Sequence, residues 1–169
     1  MEGGSAVRVA RARLDERALT AWGRRIGEVC EPPLFLALRG PLGAGKSVLA
    51  RALARGAGVA GPVPSPTFNL LFRYAASRDR ELVHLDLYRI AGPGELGELG
   101  WDELGAPHEV VLVEWPERAE ERLPSHRWDI ALSGVPGEPH LRDVEVTRIG
   151  APNPLPALQV DAPHPASTR

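Results

Sequence analysis

Apolar residues recur along this chain in two rhythms. From Leu14 to Val29, Leu14, Ala18, Trp22 and Ile26 return at four-residue spacing, with Asp15 placed to cap the first turn. That pattern predicts an amphipathic helix over 14–29, ended by Pro32 and Pro33. The runs Leu34–Arg39 (LFLALR) and Glu109–Val113 (EVVLV) are almost unbroken, as strands buried on both faces in a parallel sheet should be. Alternation over Phe68–Tyr74 and Leu82–Ile90 predicts two further strands about a polar tip, and in the second His84, Asp86 and Tyr88 share one face. Trp128–Ser133 and Leu141–Ile149 predict a closing antiparallel pair. Lys46–Arg55 predicts a helix ending near Gly56 and Gly58, and short helical turns are expected over Glu95–Leu99, Trp101–Leu104 and Glu117–Arg122.

These elements predict an α/β domain over residues 14–149, with a mixed sheet, a parallel centre, antiparallel additions and helices on both faces. Residues 1–13 are expected to be flexible, and the Pro-rich segment 150–169 a disordered tail. The length of 169 residues suits one domain that needs neither metal nor disulfide as a staple. The lone cysteine, Cys30, is expected as a buried thiol. No run approaches the ~18 apolar residues of a membrane span, the start lacks an apolar signal core, and a cytoplasmic location is expected. A net charge of −2 offers no basis for tight nucleic-acid binding through bulk electrostatics. Arg8, Arg11, Arg13, Arg17, Arg24 and Arg25 are interspersed with Asp15, Glu16 and Glu28, so a solvated helix face is expected of them rather than a surface for tRNA or a partner.

Among the 20 basic residues only Lys46 is a lysine. It stands in Gly40-Pro41-Leu42-Gly43-Ala44-Gly45-Lys46-Ser47, a full match to G-x-x-x-x-G-K-[ST] between a predicted strand and a predicted helix. Glycines let successive N–H groups turn inward toward phosphate oxygens, at a helix N-terminus that already favours negative charge. Residues Gly43, Ala44, Gly45, Lys46, Ser47 and Val48 are the expected phosphate contacts. The Lys46 ammonium reaches the outer phosphates and the Ser47 hydroxyl ligates Mg²⁺. The guanine-reading N-K-x-D pattern is absent, since neither Asn69 nor Asn153 precedes a lysine; ATP is the expected nucleotide.

A carboxylate should complete the metal site, and Glu114, at the end of its strand, and Asp86 are both candidates for holding Mg²⁺ or orienting water. Thr67, after two prolines in its loop, is a candidate γ-phosphate sensor or simply a turn residue. His84 could carry a proton, but with Asp86 two residues on it is expected to support that carboxylate by a hydrogen bond. Arg89 could reach phosphate or pair with an acid. The other histidines are scattered, and Trp22, Trp101 and Trp128 are expected in the core or an interface.

The ordered set GPLGAGKS (40–47), SPTF (65–68), HLDLYRI (84–90) and EWPE (114–117) resembles the TsaE family, over about Leu14 to Ile149. That resemblance implies Lys46 and Ser47 at phosphate and Mg²⁺, Thr67 in a nucleotide-sensing loop, Asp86 and Glu114 as functional acids, and Trp115 beside the nucleotide. It implies an ATPase, slow alone, acting on a TsaB–TsaD complex that modifies tRNA, so that tRNA is met only indirectly. Pro41 stands where the family usually has Asp or Asn, Ser47 where Thr is usual, and Leu19 where the first helix often carries Thr. A small-molecule or nucleoside kinase, and a non-hydrolysing ATP-binding subunit, are the alternatives; Ala91–Pro107 lacks the arginines of a kinase lid.

Overall fold

The computed structural model describes residues 5–159. Seven strands form one sheet: β1 (Ala6–Asp15), β2 (Leu34–Arg39), β3 (Leu71–Ala76), β4 (Arg80–Asp86), β5 (Glu109–Glu114), β6 (Arg127–Val135) and β7 (Glu138–Ile149), in the order β1-β7-β6-β2-β5-β4-β3. The inner strands β6, β2, β5 and β4 run parallel, while β1, β7 and β3 add antiparallel neighbours at the two sides. The mixed sheet is therefore the one expected from the apolar runs, and β2 and β5 are buried almost throughout.

Alternation sends the side chains of the central strands to two separate cores. Leu34, Leu36 and Leu38 meet α1 (Glu16–Val29) and α2 (Lys46–Gly56) on one face. Phe35, Val111 and Val113 meet α3 (Pro93–Glu98) and the 3₁₀ turns Trp101–Glu103 and Pro116–Arg122 on the other. Trp22, Trp101, Trp128 and the Cys30 thiol are all buried, as expected. Helices α1 and α2 touch backbone to backbone: a Cβ at Gly27 would lie 2.0 Å from the Leu53 carbonyl oxygen, and one at Gly56 would lie 1.9 Å from that of Arg24.

Four segments differ from expectation. Residues 6–13 are strand rather than flexible, and Leu14 belongs to that strand; Asp15 does cap α1, accepting from the Ala18 N–H at 2.7 Å. The Ala/Arg alternation of β1 carries little apolar signal, and its pairing is held across strands by Arg8–Glu145, Arg11–Asp143 and Arg13–Asp143 ion pairs. The third strand begins at Leu71, because 68–70 form a turn with Leu70 at φ 63°. The fourth ends at Asp86, whose carboxylate accepts from the Tyr88 N–H and turns the chain. Finally, residues 150–159 are a strap with defined contacts; 160–169 lie outside the described residues. The buried indoles of Trp128 and Trp22 donate to the carbonyls of Asn153 (2.8 Å) and Pro156 (3.2 Å), and Leu155 and Leu158 join the first core. A Pro-rich backbone leaves carbonyls unpaired, and two indole N–H groups needed acceptors.

A methyl group cannot enter the α1–α2 contact without separating the helices. Gly27→Ala is expected to cost about 3 kcal/mol, seen as a lowered thermal midpoint. Gly97→Ala on α3, where a Cβ meets nothing within 4 Å, should leave the midpoint unchanged or raise it slightly.

Candidate functional site

Strand β2 runs into Gly40, and the chain wraps through Gly43 and Gly45 into the first turn of α2. All three glycines have positive φ (140°, 77° and 106°). At Gly40 the reason is also steric, since a Cβ would sit 2.2 Å from the Leu132 carbonyl oxygen. Lys46 turns back into this loop: its ammonium donates to the carbonyls of Gly40 (2.6 Å) and Pro41 (2.9 Å) and sits 4.2 Å from the centre of the Trp115 ring. Burial pushes its pKa below the usual lysine value, against the opposing pull of Glu114, Glu117 and Asp86.

The acids come from neighbouring strands. Parallel pairing of β4 with β5 sets Asp86 opposite Glu114 at the C-terminal edge of the sheet, and both are buried. The Ser47 hydroxyl lies 3.1 and 3.3 Å from the two Glu114 oxygens, and His84 Nε2 lies 2.8 Å from Oε1. His84 thus supports Glu114 rather than Asp86, because its side chain crosses to the next strand instead of reaching along its own. Asp86 is instead held by the Thr67 hydroxyl at 2.8 Å, and Ser65 Oγ lies 2.7 Å from that same hydroxyl. Arg89 forms no ion pair with an acid among the described residues; its guanidinium stacks 4.4 Å over the exposed Phe68 ring.

Trp115 follows Glu114 in the left-handed region (φ 58°, ψ 48°), a conformation that costs a bulky residue about 1–2 kcal/mol. That turn swings its indole over Lys46 and within 5.0 Å of the Tyr88 ring. Such local strain is characteristic of functional positions.

The loop, Thr67, Asp86, Glu114 and Trp115 line one cleft of about 690 Å³. Its far wall comes from sequence-distant places: Arg17 and Leu19 at the start of α1, and His140 and Arg142 at the start of β7. Sequence reasoning missed His140 and Arg142, because no local motif marks a wall built by strand pairing. The arrangement offers backbone N–H groups and one ammonium for an anion, and a hydroxyl–carboxylate pair of hard oxygens suited to Mg²⁺. Among the described residues one further cluster, Glu81, His108 and Glu109, has metal-like spacing, but Arg73 bridges Glu81 and Glu109 there.

Removing the His84 bond would leave a buried carboxylate short of a partner. His84→Leu is therefore expected to cost about 1–3 kcal/mol in chemical denaturation, and Glu114→Gln combined with it should recover part of that loss.

Comparison with known proteins adds to this geometry. The sequence model of the family "Threonylcarbamoyl adenosine biosynthesis protein TsaE" matches residues 14–140. The chain is 36% identical over 132 residues to a Streptomyces coelicolor protein, covering 76% of this chain and 88% of the relative. It is 34% identical over 115 residues to one from Haemophilus influenzae, covering 65% and 72%. Both relatives are named tRNA threonylcarbamoyladenosine biosynthesis protein TsaE. The crystal structure of Bacillus subtilis YdiB superposes with a TM-score of 0.69 at 28% identity, over 86% of this chain and 88% of that one.

Proposed function

The chain belongs to the TsaE family, and we propose that it is a Mg²⁺-dependent ATPase that serves threonylcarbamoyladenosine modification of tRNA as a nucleotide switch on a TsaB–TsaD-type complex. The observation that carries the ATPase reading is the Ser47–Glu114 contact, which brings a loop hydroxyl and a strand carboxylate to one point beside Lys46. Ser47 and Glu114 would hold Mg²⁺, which when bound neutralises phosphate charge. Lys46 exchanges its two loop carbonyls for phosphate oxygens and stabilises negative charge as the γ-phosphoryl leaves. Asp86, one strand away and oriented by Thr67 and the Tyr88 N–H, orients the attacking water. His84 fixes the Glu114 carboxylate without touching substrate. The wall with His140 and Arg142 receives the nucleoside end.

The switch reading rests on Thr67. Its hydroxyl bonds Asp86 from a loop whose next residue, Phe68, is exposed. A γ-phosphate that competes for Thr67 would therefore shift a surface segment that a partner can feel. The phosphate loop itself supplies no arginine finger, so turnover alone should be slow and a partner should complete the site.

Phosphate release by the full chain, with and without the TsaB–TsaD pair, tests this. Release is expected to be slow alone and stimulated at least about tenfold by the pair. Asp86→Ala and Glu114→Ala should each cut the stimulated rate by about a hundredfold or more. Unchanged hydrolysis in both variants with partner binding intact would favour a non-hydrolysing subunit, and phosphate transfer to an acceptor instead of water would favour a kinase.

A further inference from the structure

The small net charge conceals a separation of charge between the two faces of the sheet. From Pro32 to Arg78 there is no Asp or Glu at all, whereas Pro93 to Glu103 carries Glu95, Glu98, Asp102 and Glu103 and no base. The first segment contributes α2 and the second α3, on opposite sides. On the α1–α2 side Arg17, Arg24, Arg25 and Arg51 are exposed and have no acidic partner among the described residues, and Arg55 donates only to the Gly61 carbonyl. Elsewhere exposed arginines are commonly paired, as Arg8, Arg13 and Arg78 are. The acids on these two helices are Glu16 and Glu28.

The helix contact gathers four of these cations, Arg17, Arg24, Arg51 and Arg55, while Arg25 lies on the other side of α1, in a groove with Trp22, Ala157 and Gln159. Because Gly23 abuts Ala52 and Gly56 abuts the Arg24 backbone, the outward positions of α1 and α2 stand side by side along one seam. Arg17 and Arg24 are two turns apart, about 10 Å along α1, and Arg51 and Arg55 about 6 Å apart on α2. Arg17 and Val48 also line the nucleotide cleft, so the stripe runs from the cleft mouth outward. Guanidiniums that form no ion pair with the nearby Glu16 or Glu28 among the described residues suit phosphate, which they grip with paired N–H donors and little desolvation cost.

We infer that the α1–α2 face is a direct docking surface for the phosphate backbone of RNA, read by charge and not by base. This goes beyond the nucleotide reading, under which tRNA is met only through the partner complex, and it replaces the solvated-face expectation for Arg17 and Arg24. Binding of this kind is sequence-tolerant, modest and steeply salt-dependent.

The test is fluorescence anisotropy of a labelled, unmodified tRNA transcript titrated with the full chain. If about four phosphates are neutralised, affinity should fall about a hundredfold between about 50 and 200 mM salt. Arg24→Glu/Arg51→Glu should weaken binding at least about tenfold and flatten the salt slope, while Arg118→Glu on the acidic side should not weaken it. An unchanged thermal midpoint and unchanged phosphate release without RNA would show that the double variant is folded. Two results would overturn the proposal: no tRNA binding by the parent at about 50 mM salt, or equal binding by the double variant. Displacement of tRNA by polyglutamate at matched charge would also overturn it, in favour of an acidic protein surface. ATP-site failure is separable, because a Lys46→Ala chain should still bind tRNA.

Discussion

A single buried carboxylate organises this protein. Glu114 is carried out of water by the end of β5, and an ion in that position persists only with partners on every side. His84 supplies one from the neighbouring strand and Ser47 another from the first turn of α2. Satisfying both ties three elements together: β4 must run parallel to β5 in the register that places Asp86 opposite Glu114, and α2 must begin where its second residue meets β5. The residue after this carboxylate is then forced through a left-handed turn, which lays the Trp115 indole over Lys46. The placement of Ser47, the Lys46 ammonium and the Trp115 indole around one point follows from that one electrostatic requirement.

Much of that arrangement is legible in the sequence because its parts are local. LFLALR followed by a full phosphate-loop pattern needs only strand, turn and helix in succession, and EVVLV ending in an acid needs only a buried strand. What escapes is what pairing across the sheet creates. The Ala and Arg of β1 have weak strand propensity alone, and become a strand because β7 offers acids opposite the arginines. His84 sits two residues from Asp86, yet serves Glu114 across the strand boundary, and His140 and Arg142 join the cleft with no sequence mark. The strap at 150–159 reads as disordered from composition, and is held because two buried indoles require acceptors.

The sheet also separates two tasks. Its C-terminal edge collects the chemistry, while its two faces carry helices of opposite electrostatic character. The tight glycine contact between α1 and α2 packs the first core and sets the outward faces of the two helices side by side, with Arg17 at the cleft. A net charge near zero therefore says little about what either face can meet.

The most direct measurement of the central claim is calorimetric titration of ATP into the full chain, with Mg²⁺ and with EDTA, for the parent and for Ser47→Ala. If Ser47 and Glu114 form a preset pair for the metal, Mg²⁺ should tighten ATP binding to the parent, and most of that gain should vanish in Ser47→Ala. Equal tightening by Mg²⁺ in both proteins would contradict the account.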